Sequence, residues 1–139
     1  MTEQRKLRVI LDTNVLIVSI SKKSEYHWIF EKLVYEEYDL FISNEILSEY
    51  EEILSTKTNQ VIKNSIIDLL LIADNVHKTM TYFNWNLISG DKDDNKFVDC
   101  AIAVNADCIV TNDKHFDVLK NIQFPKINVL NPEEFYKLF

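Results

Sequence analysis

The sequence predicts an α/β fold, with helices on both faces of a central parallel sheet of four to five strands. Three observations carry this three-layer α/β/α reading. Strand and helix signals alternate along all 139 residues, the pattern of strand–helix–strand units in a parallel sheet. Two short apolar runs, at 7–11 and 108–110, stop abruptly at polar residues, as central strands do. Residues 97–104 are apolar almost all round apart from Asp99, and a helix of that kind is buried.

Taken in order, Leu7, Val9, Ile10 and Leu11 make the first strand. Asp12 stands where it stops, with Asn14 two residues on. Ligands bind at the carboxyl ends of the strands in an open α/β sheet, so Asp12 is a site candidate at once. Residues 15–21 lead away as a helix or turn. Residues 24–38 have helical period, with Tyr26, Ile29, Phe30, Leu33 and Val34 as the apolar stripe. Residues 40–42 form a second strand, and Ser43 is a ready N-cap. The helix at 45–55 turns Ile46, Leu47, Tyr50, Ile53 and Leu54 inward and leaves Glu49 and Glu51 at the margins of that face.

Lys57, Thr58 and Asn59 make a break. Residues 61–73 form another helix, with Ile62, Ile66, Leu69, Leu70 and Ala73 inward. Residues 76–80 carry a faint strand signal. The polar stretch 84–96 reads as a loop feeding the helix at 97–104. After the strand at 108–110 come a short helix at 114–120, a last strand at 127–130 and a helical turn opened by Pro132. No repeat or long linker interrupts the pattern, so residues 1–139 read as one domain.

Composition narrows the function. Apolar residues make up 47% of the chain, enough for a real core, and the net charge is −7. An acidic surface is no nucleic-acid footprint, so a polyanionic substrate needs local lysines or bound cations. A single glycine, Gly90, excludes glycine-rich phosphate loops and dinucleotide fingerprints. Cys100 and Cys108 lack metal-ligand spacing and read as reduced core thiols of a cytoplasmic protein. No apolar run is long enough to span a membrane. The first six residues are not followed by the apolar segment of a secretory leader. His27, His77 and His115 are scattered, and His27 and His115 read as surface or partly packed residues.

Four carboxylates hold the chemistry. Asp12 and Asp113 follow strands that emerge at one edge of a parallel sheet. Asp99 sits in the most apolar helix, where an unpaired charge costs several kcal/mol. Glu49 lies at the margin of a core-facing helix. Each has a plainer reading: Asp12 as a turn residue, Asp113 as a helix cap, Glu49 as a solvated side chain, and Asp99 as the partner of Lys92 or Lys96. Asp94 is by default a helix-start residue. Four converging carboxylates with no arginine or histidine among them would call for a hard divalent cation, magnesium or manganese. Such a site activates water and clamps phosphate oxygens, which suits phosphodiester hydrolysis.

The motifs themselves resemble a known family. Residues 11–16, Leu-Asp-Thr-Asn-Val-Leu, resemble the opening motif of PIN-domain proteins. Residues 43–50 look like their second motif, with Glu49 as its acid. Residues 94–103 resemble the third and 109–116 the fourth, in family order. The nearest likeness is to the bacterial subgroup of toxin components of toxin–antitoxin systems. The resemblance implies a magnesium- or manganese-dependent ribonuclease, often bound by an antitoxin that blocks the site. It carries Asp12, Glu49, Asp99 and Asp113 over as the acidic site, Asn14 and Thr111 as supporting positions, and Asp94 as an additional acid.

On this reading Asp12, Asp99 and Asp113 hold one ion, and Glu49 with Asp94 helps place a second. Single-stranded or looped RNA is the expected substrate. Lys92, Lys96 and Lys114 are the candidate phosphate contacts. An antitoxin protein is the implied partner, a homodimer is compatible with the aromatic content, and no membrane is involved. Two rivals stand beside it. One is a catalytically silent RNA-binding or antitoxin-binding domain, consistent with the lack of a basic stripe. The other is an aspartyl phosphotransfer enzyme with Asp12 as nucleophile, although Asn14 stands where one such class expects a second Asp.

Overall fold

A computed structural model describes residues 5–139. The first four residues, part of the stretch read for a leader, lie outside the described residues. The five strands are β1 (Arg8–Leu11), β2 (Asp39–Ile42), β3 (Val76–Lys78), β4 (Cys108–Val110) and β5 (Val129–Leu130). They form one sheet in the order β3-β2-β1-β4-β5, and every neighbouring pair is parallel. The flanking helices are α1 (Thr13–Ile20), α2 (His27–Val34), α3 (Asn44–Lys57), α4 (Gln60–Ile72), α5 (Asn95–Val104) and α6 (Pro132–Tyr136). The three-layer α/β expectation holds.

β1 is central because it can be nothing else. Val9, Ile10 and Leu11 are fully buried, so both faces of the strand must be covered. The chain runs outward from β1 through β2 to β3, then returns to lay β4 on the other side of β1. Strand order therefore reverses between β1 and β4, where open α/β sheets form their ligand crevice. Leu11 pairs with Val110 in register, so Asp12 and Thr111 leave adjacent strands side by side.

Local chemistry sets the helix starts. The Ser43 side chain accepts from the Ile46 N–H, the Asn59 side chain from Ile62, and Asn131 with Glu134 completes a capping box beneath Pro132. The expected helix at 24–38 is shorter. It ends at Val34, where Glu36 takes a left-handed conformation with φ 59°. The Glu37 N–H then donates to Lys32 O at 2.9 Å and Glu36 N–H to Leu33 O at 3.1 Å, the two bonds of a Schellman closure. Tyr38 is freed to lead into β2 as a fully buried side chain, its hydroxyl donating to Ile29 O at 2.8 Å. Two further departures lie within and beyond the stretch 84–96. Residues Lys92–Asp94 already form a 3-10 turn, and the segment expected as a short helix at 114–120 is a 3-10 helix over Lys114–Asn121.

One buried hydrogen bond ties a helix to the central strand. Tyr50 of α3 is fully buried, and its hydroxyl donates to Leu11 O, the last carbonyl of β1, at 2.6 Å. Tyr50→Phe keeps the ring but strands that carbonyl, and is expected to cost about 1–3 kcal/mol of stability in urea unfolding.

Candidate active site

Asp12 follows β1 directly and is the N-cap position of α1, but its side chain caps nothing. It is turned to β4 instead. Thr111 Oγ1 donates to Asp12 Oδ2 at 2.7 Å, and the Asp113 backbone N–H donates to the same Thr111 oxygen at 2.9 Å. Thr111 thus clamps the ends of both site strands with one hydroxyl. Burial raises the Asp12 carboxyl above its ordinary range. The Thr111 hydroxyl and the Thr13 N–H oppose that rise, while Asp113 and Glu49 add to it.

Glu49 reaches the same crevice from α3. Thr13 Oγ1, one residue beyond Asp12, donates to Glu49 Oε2. Lys96 Nζ pairs with Glu49 Oε1 at 2.8 Å. Lys96, expected as a phosphate contact, is thus engaged in a salt bridge beside Asp12.

Asp94 closes the other side. It is 9% exposed, and its Oδ2 is sealed from solvent without an aligned hydrogen-bond donor. His115 Nδ1 approaches that oxygen at 3.4 Å and Asp113 Oδ1 at 3.3 Å. Burial first, then the charges of Asp113, Asp91 and Asp12, push the Asp94 carboxyl up to about 6, with His115 opposing. Asp91, Asp94 and His115 each offer a ligand atom within 4.8 Å of the others. His115 is exposed, in keeping with its reading as a surface or partly packed residue, but its place beside Asp94 and Asp113 was not foreseen. Its position two residues after Asp113, at the end of a central strand, was the available signal.

Asp99 is not brought into this group. Its Oδ1 accepts from the Trp85 backbone N–H at 3.0 Å. Burial raises its carboxyl, Trp85 opposes, and the neighbouring charge that adds to the rise is Glu45. The buried acid of α5 is satisfied by a backbone donor, so neither Lys92 nor Lys96 is its partner. Asn14 is also set apart: it is exposed, and among the described residues its side chain makes no hydrogen bond to the acids. Thr13 and Thr111 hold the carboxylates in its place. Lys92 and Lys114 are exposed.

The donor set suits a hard cation. The charges of Asp12 and Asp113 act on Asp94 at the switch point. The ligand atoms that lie within 4.8 Å of one another come from Asp91, Asp94 and His115 among the described residues, and a buried carboxylate oxygen such as Asp94 Oδ2 is what a divalent ion would satisfy. The raised Asp94 sets the sign of the pH dependence. Between its ordinary 3.8 and about 6 the folded chain keeps a proton the unfolded chain has lost. That contribution to stability is complete below the ordinary value and is lost as pH rises through about 6. An ion needs the ionised carboxylate. Mn2+ affinity is therefore expected to climb by up to about tenfold per pH unit below this midpoint and to level off above it. Calorimetric titration across pH 4.5–7.5 checks this, and Asp94→Asn should flatten the profile.

A PIN-domain family model matches residues 8–115, the stretch from β1 through His115.

The chain belongs to the PIN-domain family.

No curated protein sequence matches this PIN domain. Solved structures do. VapBC2 from Rickettsia felis, bound to a DNA fragment from its promoter, is similar with a TM-score of 0.60 at 20% identity, over 90% of this chain and 98% of that one. FitAcB from Neisseria gonorrhoeae gives 0.57 at 16% identity, over 90% and 98%. FitAB bound to an IR36 DNA fragment gives 0.54 at 14% identity, over 89% and 94%. At these identities the likeness is one of fold. Among the described residues no helix is long and apolar enough to cross a membrane.

Proposed function

We propose that this PIN-domain protein is a magnesium- or manganese-dependent endoribonuclease and the toxin of a toxin–antitoxin pair. The observation that carries the reading is the gathering of acidic charge at the β1–β4 switch point, where Asp12 and Asp113 act on a buried Asp94 whose carboxylate lies within ligand reach of Asp91 and His115. Asp94 takes the place that the sequence reading assigned to Asp99. The family match and the fold shared with VapBC2 and FitAB support the same reading.

A bound divalent ion would polarise the scissile phosphate and lower the pKa of water. The chain supplies the rest. Asp12 is held in one rotamer by Thr111, and Glu49 by Thr13 and Lys96, so neither must reorganise when a phosphate arrives. His115 can hold a proton at Nδ1 beside Asp94 and Asp113. Exposed Lys92 and Lys114 supply the local positive charge that an acidic protein needs toward a polyanion. Single-stranded or looped RNA suits an open crevice at a sheet edge, where the backbone must come to the carboxylates.

Other features accord with this role. The free, buried Cys100 and Cys108 support a cytoplasmic setting. One core cluster running from Val9 to Phe135 supports a single domain. Exposed Tyr82, Phe83 and Trp85 offer aromatic surface to an antitoxin or a second copy.

The test is cleavage of mixed RNAs with Mg2+ or Mn2+, beside Asp12→Asn. The expected loss in the variant is at least about a hundredfold, since even residues that only orient a metal ligand cost 10–100-fold. Equal cleavage by wild type and variant would overturn the proposal.

A further inference from the structure

Glu49 has no free oxygen. Its Oε1 is taken by Lys96 Nζ at 2.8 Å and its Oε2 by the Thr13 hydroxyl. The lysine is not a passing surface charge. Its side chain is 15% exposed, although a lysine normally keeps its ammonium in water and loses much rotamer freedom when held. It is held here by charge. A groove of about 380 Å³ beside it is lined by Glu45, Glu49, Glu52 and Asp93, with Lys96 as the one cationic residue of the lining. On the other flank, Asp12, Asp94 and Asp113 make no lysine or arginine salt bridge among the described residues. The crevice is therefore divided. One side presents carboxylates that an ion can use directly, and the other a carboxylate already neutralised by the protein.

We propose that Lys96 is the resident cation of the Glu49 side, standing where a second divalent ion would otherwise bind, so that the site loads a single ion on the side of Asp12, Asp94 and Asp113. This rests on the metal-site reading above. An ion recruited to Glu49 would have to displace both an ammonium and a hydroxyl and then face the ammonium's repulsion at short range. An ion on the Asp12 side meets the Thr111 hydroxyl on Asp12 but no ammonium, and the basic group there, His115 beside Asp94 and Asp113, is an imidazole that can itself serve as a ligand. Lys96 acts through Glu49 and is a positioning residue. It keeps Glu49 in place and supplies one positive charge that a two-ion site takes from metal.

The experiment counts Mn2+ ions per folded chain by calorimetry and by loss of the free-Mn2+ paramagnetic signal, with thermal melts to confirm folding. Wild type is expected to bind one ion. Lys96→Met should bind a second, at least tenfold tighter than any further binding by wild type. Lys96→Arg should keep one. Glu49→Gln added to Lys96→Met should return the count to one, because the vacated place loses its carboxylate. Lys92→Met removes the same charge from the neighbouring 3-10 turn and should leave the count at one, which a general electrostatic effect would not do.

Two tight ions in wild type, an unchanged count in Lys96→Met, or a second ion in Lys92→Met would each overturn the assignment of Lys96 while leaving an Asp12-sensitive ion in place. Mn2+ binding that is absent, or that survives in Asp12→Asn, would instead overturn the metal-site reading and this inference with it. Should Lys96→Met not fold, Lys96→Gln carries the same expectation.

Discussion

Asp94→Asn is expected to remove metal-dependent RNA cleavage by at least about a hundredfold, and Asp99→Asn to leave it within a few-fold of wild type. The two acids lie five residues apart in one motif, and the chain can use only one of them at the sheet edge. Five helical residues turn the direction of a side chain by about 140°. Asp94, at the N-terminal end of α5, faces Asp12, Asp113 and His115. Asp99 is turned toward Trp85 and Glu45. Removing the Asp94 charge takes a ligand from the ion while the packing stays, because Asn is isosteric. Asn at 99 can still accept from the Trp85 N–H through its carbonyl oxygen, and it relieves the repulsion with Glu45. Single-turnover cleavage at saturating Mn2+, with Mn2+ affinity measured separately, decides the matter. A large loss in Asp99→Asn with full activity in Asp94→Asn would reverse the assignment.

Phe97→Ala is expected to lower stability by about 3–5 kcal/mol, since it removes a whole buried ring and leaves a cavity. Phe97 and Phe116 are both fully buried, with ring centroids 6.3 Å apart and planes inclined at 63°, an edge-to-face pair. Their place in the chain makes the pair functional as well as structural. Phe97 lies three residues after Asp94 and Phe116 three after Asp113, so the contact braces the two turns that deliver these carboxylates. Urea unfolding should show the loss directly. Mn2+ affinity should fall as well, even where the variant remains folded, because the distance between Asp94 and Asp113 is no longer held by packing. Phe97→Leu keeps most of the volume and should cost under about 1.5 kcal/mol with metal affinity retained.

Much of the fold was legible because its signals are local. The apolar run ending at Asp12, the cap at Ser43, the helical turn opened by Pro132, and the alternation of strand and helix all act within a few residues, and each appears where expected. The end of α2 was not, because a Schellman closure built on Glu36 rather than glycine leaves no mark in composition. In the candidate site, the places of Asp12, Glu49 and Asp113 at strand ends and a helix margin were readable, and that of Thr111 from the motif around it. Asp94 was ranked below Asp99 because the motif offers both acids and helical phase alone does not say which faces the crevice. The acidic partners of His115 and Lys96 were not legible for a related reason. The sequence shows four acids as a group without basic partners, while the structure seats a lysine on Glu49 and a histidine between Asp94 and Asp113.

The amino-acid sequence by itself determined that a buried parallel strand would end in Asp12, and that a second would end beside it at Thr111 and Asp113. Hydrophobic period and strand length are properties of neighbouring residues. Which carboxylate would complete the site, and which cation would answer which acid, only the tertiary structure decided. Those choices depend on the turn of α5 against the sheet and on contacts between residues far apart in the chain, such as Thr13 and Lys96 on Glu49. Asp12 is where the strand puts it; the charge it works with is set by what α3, α5 and β4 bring to meet it.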